Sequence, residues 1–279
     1  ALLLASRGAK IVVNDPGASL QGESTDTGPA QEVVREIKAA GGEAVACTES
    51  VATREGGKAI IESALEHYGR IDILVHNAGI VRRGSLQELS YEDFESVLDV
   101  HLRGGFHVVR PAFPLMCKAG YGRIVLTGSI NGLYGNHNVV NYSVAKAGLA
   151  GLSNVAGLEG AEHGVKRNII LPAAVTRMAE GLDTSAHPPM EPELVAPAVG
   201  WLAHESCSVT GEMLVAMAGR VARAYVAETP GVYRPAWSIE QVGEEIDAIR
   251  NTADSLIFPV VPSGHVDHLR YSFAMAAAG

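Results

Sequence analysis

Cysteine is scarce in this chain, aromatics are few, and there is neither a surplus of positive charge nor a long apolar run. The three cysteines among 279 residues, Cys47, Cys117 and Cys207, are odd in number and far apart, which excludes a disulfide framework. None stands in a C-x-x-C pair, so no zinc or other metal site is expected. They read as buried thiols in a reducing compartment, with the cytoplasm as the expected location. Lysine and arginine number 22 against 31 aspartates and glutamates, a net charge of −9. That balance excludes a general binder of nucleic acid or of anionic membranes, and no basic run or aromatic platform offsets it. The apolar start, residues 1–5, is too short to cross a membrane and has no basic leader. It reads as the last turn of a helix capped by Gly8.

What the chain does contain is an alternation. With 47% hydrophobic residues, its composition is ordinary for an α/β protein. Short β-branched or apolar runs at 10–14, 43–47, 71–76, 124–127, 166–171 and 212–216 read as strands. Amphipathic stretches at 30–40, 53–68, 90–116 and 193–204 read as helices, and residues 17–29 and 178–192 as exposed loops. Strands and helices in this order imply a parallel, doubly wound sheet within residues 1–218, with its last strand at 212–216. Residues 219–279 form an extension, in which only a helix over 239–250, capped by Trp237 and Ser238, is expected. His265 and His268 read as non-metal residues, because no carboxylate or third ligand is expected beside them.

One stretch carries the chemistry. Residues 124–153 run from a buried strand through a polar, glycine-rich loop into a helix bearing Tyr142 and Lys146. Four residues apart, these two project from one helical face, and Ser129 stands at the mouth of the strand. A free tyrosine, with a pKa of about 10, is a poor base at neutral pH. A lysine ammonium nearby would favour the phenolate and lower that value. Tyr142 would then trade a proton with an alcohol or carbonyl, while the Ser129 hydroxyl holds the same oxygen.

The order Ser, twelve residues, Tyr-x-x-x-Lys resembles the signature of the short-chain dehydrogenases/reductases. The resemblance implies a Rossmann-like fold. It makes Ser129 the catalytic serine, Tyr142 the general acid/base, and Lys146 the residue that tunes Tyr142 and binds the nicotinamide ribose. Residues 98–106 are similar to the family's V-N-L-x-G segment, which places His101 where the relay asparagine stands and leaves its backbone carbonyl to serve. Asn77, Ala78 and Gly79 resemble the N-N-A-G motif, with His76 in place of its first asparagine, and would line the adenosine side of the cofactor. Glu49, Ser50 and Val51 stand where the family has Asp-Val beside the adenine. Pro172, Val175 and Thr176 resemble the P-G-x-x-x-T turn that meets the nicotinamide amide, with Ala173 in place of its glycine.

Asp15 ends the first strand, where a carboxylate accepts ribose hydroxyls and repels a 2′-phosphate, so NAD is expected over NADP. On local grounds it also reads as a turn aspartate before Pro16. The glycine-rich turn that such a unit needs, and the strand before it, are absent from the sequence and are expected upstream of Ala1. The small-residue face of Ala145, Ala147, Gly148 and Gly151 suits either packing on the sheet or the helix pairing of a homodimer or homotetramer. Segments at 12–15, 100–104, 130–136 and 201–207 narrow the resemblance to 3-hydroxyacyl-CoA dehydrogenase domains of the peroxisomal multifunctional type and their bacterial relatives. Oxidation of a secondary alcohol, a 3-hydroxyacyl-CoA or a steroid-like molecule, is the expected activity. The alternatives are an NADPH-dependent ketone or 3-oxoacyl reductase and a non-catalytic oligomer subunit.

Overall fold

Parallel strands covered on both faces favour apolar side chains, and Ile124, Val125 and Leu126 supply them. In the computed structural model, which describes residues 1–17, 28–176 and 188–278, β4 (Gly122–Thr127) is buried along its whole length. The chain divides into two units, Ala1–Arg223 and Ala224–Gly279.

In the first unit, α1 (Leu2–Ser6) leads into β1 (Lys10–Asn14), α2 (Gly28–Ala39) and β2 (Glu43–Cys47). Next come α3 (Arg54–Tyr68), capped by the Thr53 hydroxyl, and β3 (Ile73–His76). α4 (Tyr91–Leu98) and α5 (Gly104–Ala119) lead to β4, followed by α6 (Asn131–Tyr134), α7 (Val140–Gly160) and β5 (Val165–Ala173). α8 (Ala196–Ala203), β6 (Met213–Met217) and β7 (Arg220–Ala224) complete it. The strands form two ladders. β1 pairs with β2 in parallel, and a five-stranded sheet runs β3-β4-β5-β6-β7, parallel from β3 through β6. This is the expected α/β architecture with parallel-dominated sheets, and among the described residues no strand joins the two ladders.

Two expectations are corrected. The single helix over 90–116 is two α-helices joined by a π-helical turn, Asp99–Arg103, which Gly104 and Gly105 follow. Small residues let this crowded turn pack closely: a Cβ on Gly104 would meet Val51 at 2.8 Å, and one on Gly105 would meet Leu149 at 2.9 Å. π turns are rare and concentrate at functional sites. The last strand is not at 212–216, because β7 follows β6 across the two-residue turn Ala218-Gly219. Both turn residues have positive φ, 47° and 78°, the geometry that reverses a strand onto itself. The expected loops at 17–29 and 178–192 fall largely outside the described residues.

In the second unit, Ser238 and Gln241 form a capping box on α9 (Ile239–Glu244). The expected helix over 239–250 is interrupted at Glu245 and resumes as α10 (Ile246–Ile249). α11 (Val266–Ala278), for which the sequence pattern gave no expectation, closes the unit. Contrary to expectation, His268 has a carboxylate beside it: its Nε2 stands 3.0 Å from Glu228. Among the described residues no three His, Cys, Asp or Glu side chains gather as a metal site, and no helix is long and apolar enough to cross a membrane.

Candidate active site

β4 delivers the chain to the site. Gly128 is pinned between Ile169 and Leu171, where a Cβ would meet both at 2.7 Å, and Ser129 follows, its hydroxyl accepting the Asn131 N–H at 3.1 Å. α6 lies close against α7 because position 132 has no side chain: a Cβ there would meet the Ala147 nitrogen at 2.8 Å. The start of α7 is held by Asn141, fully buried, whose amide donates to the carbonyls of Arg82 at 3.1 Å and Asp93 at 3.2 Å. Its Oδ1 accepts the Tyr142 N–H at 2.8 Å.

From that anchored turn Tyr142 and Lys146 project together. The Lys146 ammonium is buried, donates to the Thr127 carbonyl, and stands 5.5 Å from the centroid of the Tyr142 ring. The Ser129 hydroxyl reaches the phenol and favours its ionised form. The His101 ring meets the Tyr142 ring edge-on, 5.1 Å between centroids at 85°. Serine, tyrosine, lysine and histidine are thus brought to one place at the carboxyl end of β4.

The electrostatics depart from the expectation that the lysine holds the phenol acidic. Burial raises the Tyr142 pKa above its ordinary value, and the Ser129 contact opposes this only in part. Burial also brings the Lys146 pKa down to about 7, so near neutrality its charge is itself only partly present. The protein alone therefore keeps the phenol protonated. Burial likewise lowers His76 to about 4 and His101 to about 3, with Lys146 adding to both effects, so both imidazoles are neutral.

The other sequence candidates lie around this centre. Asp15 continues the β1 ladder, its N–H donating to Cys47, and its Oδ1 accepts the Gly17 N–H at 2.7 Å. The turn role expected of Asp15 is thus present, carried by Oδ1. Beside it the buried Asn14 Oδ1 has no partner, while the Asn14 amide donates to the Glu49 carbonyl at 3.1 Å. The Ser50 hydroxyl accepts from Ala52, and the Val51 carbonyl bonds to His107 at 2.9 Å. Asn77 accepts from the Thr127 hydroxyl at 3.0 Å, which ties the end of β3 to the end of β4. Ala78 and Gly79 follow, and only glycine fits at 79, since a Cβ would lie 2.4 Å from the His101 ring. Pro172 sits in β5 opposite Ala216, the Val175 N–H donates to Met190 at 2.7 Å, and Thr176 is exposed at the end of this segment.

Two contributors, Thr127 and Asn141, escaped the sequence reading, and His76 was read only as a replacement in a motif, without a role. Polar residues at the last position of a buried apolar strand, as in V-L-T and L-V-H, were the available signal for Thr127 and His76. Asn141 carried none beyond preceding the tyrosine. A dinucleotide fits the residues present: acceptors at the end of β1 for a ribose, small residues after β3, and a buried ammonium and phenol beyond β4.

Titratable side chains thus gather at the carboxyl ends of parallel strands, where open α/β sheets bind dinucleotides and other ligands. The chain belongs to the short chain dehydrogenase family, whose profile matches residues 1–186. It is 46% identical over 237 residues to the peroxisomal multifunctional enzyme type 2 of Drosophila melanogaster, covering 84% of this chain and 39% of that protein. It is 43% identical over 224 residues to a short-chain type dehydrogenase/reductase of Mycobacterium tuberculosis, covering 80% of this chain and 78% of that one. The solved structure of the full-length Drosophila enzyme superposes with a TM-score of 0.81 at 35% identity, covering 100% of this chain and 46% of that one. The chain therefore spans less than half the length of that multifunctional relative. Members of the family act on CH–OH groups and bind NAD(P).

Proposed function

We propose that this chain is an NAD-dependent dehydrogenase that interconverts a secondary alcohol and a ketone, with a 3-hydroxyacyl-CoA or a steroid-like alcohol as substrate. The observation that carries the reading is the convergence of Ser129, Tyr142 and Lys146 at the end of β4. The similarity to peroxisomal multifunctional enzyme type 2 supports the acyl substrate.

A bound dinucleotide would supply the hydride acceptor for oxidation of the carbinol carbon and the hydride donor for the reverse. The protein handles the proton and the oxygen. Ser129 holds the substrate oxygen by a hydrogen bond that strengthens as charge develops there. During reduction Tyr142 gives its proton to the substrate oxygen; during oxidation it takes the hydroxyl proton as the phenolate, after its own proton has passed to solvent. Lys146 binds the nicotinamide ribose, and its charge favours the phenolate when that charge is present. His101 orients the phenol ring from the side.

Asp15 makes NAD the preferred nucleotide, through the carboxylate oxygen that the Gly17 turn leaves available. Glu49, Ser50 and Val51 flank the adenine, Asn77, Ala78 and Gly79 the adenosine ribose, and Pro172, Val175 and Thr176 the nicotinamide amide. Two copies pair through the outer faces of α5 and α7, where Phe106, Val144 and Val155 are exposed and a Cβ on Gly151 would meet nothing. The cysteines Cys47, Cys117 and Cys207 are free, which suits a reducing compartment such as the cytoplasm.

The test is a side-by-side assay of the purified chain with 3-hydroxyacyl-CoA thioesters and hydroxysteroids, each with NAD and NADP. Reduction of NAD by one of these substrate classes supports the reading. A kcat/KM higher with NADP turns it toward the reductase alternative, and no turnover on any pair together with no NAD binding leaves the non-catalytic subunit.

A further inference from the structure

β3 ends at His76, and the side chain that closes it is buried yet does not touch the phenol or the ammonium. Its Nε2 lies 2.9 Å from the main-chain oxygen of His101, in the π turn 25 residues further on. The carbonyl accepts, so Nε2 of His76 carries the proton. The return contact is made by the His101 side chain, whose Nε2 lies 2.8 Å from the Ile80 oxygen and 3.1 Å from the Ile80 nitrogen. One ring nitrogen cannot donate and accept at once: either Nε2 carries the proton and donates to the Ile80 carbonyl, or Nδ1 carries it and Nε2 accepts the Ile80 N–H. In either form His101 Nδ1 is buried without a partner. The two histidines therefore clasp two backbones. His76 grips the π turn, and His101 grips the segment just beyond Asn77, Ala78 and Gly79.

The clasp admits little else. A Cβ on Gly105 would approach His76 Cδ2 at 3.3 Å, and one on Gly79 would strike the His101 ring at 2.4 Å. Both rings are kept neutral by their burial, so neither carries charge into the site near pH 7. The His101 and Tyr142 rings stand T-shaped to each other, 5.1 Å between centroids.

We propose that His76 is a positioning residue of the redox site: by donating to the His101 carbonyl it fixes the π turn, and with it the tautomer and placement of the ring that orients Tyr142. This couples the end of β3 to the acid/base through the hydrogen bond that His76 makes to the π turn. The proposal rests on the reading of Tyr142 as the acid/base, yet its first consequence, the state of the two imidazoles, is observable without turnover.

The experiment has two arms. In wild-type protein labelled with 15N at histidine, NMR at pH 7.5 reports the tautomers of both rings. The expected result is an Nε2–H form at His76 and one single form at His101, and an Nδ1–H form at His76 would overturn the proposal whatever the activity. In the second arm, His76→Ala and His76→Gln are compared. The glutamine amide reaches the same carbonyl, whereas alanine leaves it without this donor. His76→Ala is expected to lower kcat about tenfold, the scale of a small misplacement of a reacting group, with KM within about twofold, and to mix the His101 tautomers. His76→Gln is expected to restore both. Full kcat in His76→Ala with one His101 tautomer, or equal impairment of the two variants, would overturn it. If Tyr142→Phe retained turnover while the tautomers stood as expected, the acid/base assignment would fail and the clasp would not.

Discussion

Lys146 does not point into open solvent beside Tyr142; its ammonium is buried and donates to the Thr127 carbonyl, 5.5 Å from the centre of the tyrosine ring. A cation held this way by a backbone oxygen costs stability wherever it is charged, because burial favours its neutral form. The site thus maintains a charge that folding opposes, and a consequence for stability follows.

Lys146 has a folded pKa of about 7 and an unfolded value of about 10.4. Between these the unfolded chain binds the extra proton, so stability rises with pH across that window and is flat with respect to this group below 7. Lys146→Met removes the buried charge and is expected to raise the urea midpoint at pH 6. The gain shrinks as pH climbs and reverses near pH 10, where the neutral amine costs nothing and the Thr127 carbonyl has lost its donor. Urea titrations at pH 6, 8 and 10 measure this. A gain that grew with pH would contradict it.

The two neutral histidines act at lower pH. Their folded values, about 4 for His76 and about 3 for His101, lie below the unfolded value of about 6.5. Their contribution is complete above pH 6.5 and is lost on acidification, as the unfolded chain takes up protons that the folded one refuses, at about 1.4 kcal/mol per proton per pH unit. His76→Gln is expected to flatten the acid limb of the stability curve between pH 6.5 and 4. An unchanged limb in guanidinium or thermal unfolding would show that His76 is not buried in neutral form.

Asn141 supports the site from below. Asn141→Ala leaves the carbonyls of Arg82 and Asp93 without their donor and is expected to cost about 2–3 kcal/mol, read from denaturant midpoints. Asn141→Asp is expected to be worse at pH 7, because a carboxylate would face the same two carbonyls and has nothing to donate. Aspartate tolerated as well as alanine would mean that the buried amide does not anchor α7.

Much of the scaffold was readable from the residues. The strands at 10–14 and 43–47 form where the β-branched and apolar runs lie, because local pattern and burial agree there. The i, i+4 spacing of Tyr142 and Lys146 brings them together as helical geometry requires. The π turn was not readable. Residues 90–116 carry one continuous helical pattern, and a single extra residue in a turn leaves no periodic trace in so short a window. The direction of the Tyr142 shift was not readable either. Sequence spacing reports that a cation is near, whereas the balance between attraction and desolvation depends on how deeply both groups are buried. β7 was hidden because Arg220 and Arg223 interrupt its apolar character, and it is the turn at Ala218-Gly219 that sends it back along β6.

The protonated phenol makes a direct prediction for the protein without nucleotide. With the Tyr142 pKa raised by burial, the ultraviolet difference titration of wild type against Tyr142→Phe is expected to show this residue ionising at higher pH than a free tyrosine. A tyrosinate signal that appears near neutral pH in the free protein would mean that Lys146 outweighs burial after all.

The most direct test of the account is Tyr142→Phe itself, assayed for NAD reduction with its best alcohol substrate and, in the same preparation, for NAD binding by calorimetry. Loss of the phenolic hydroxyl is expected to lower kcat by at least about a hundredfold, the range of a general acid/base, while the dissociation constant for NAD stays within about threefold. Turnover within a few-fold of wild type, with NAD still bound, would contradict the assignment of the proton exchange to this residue.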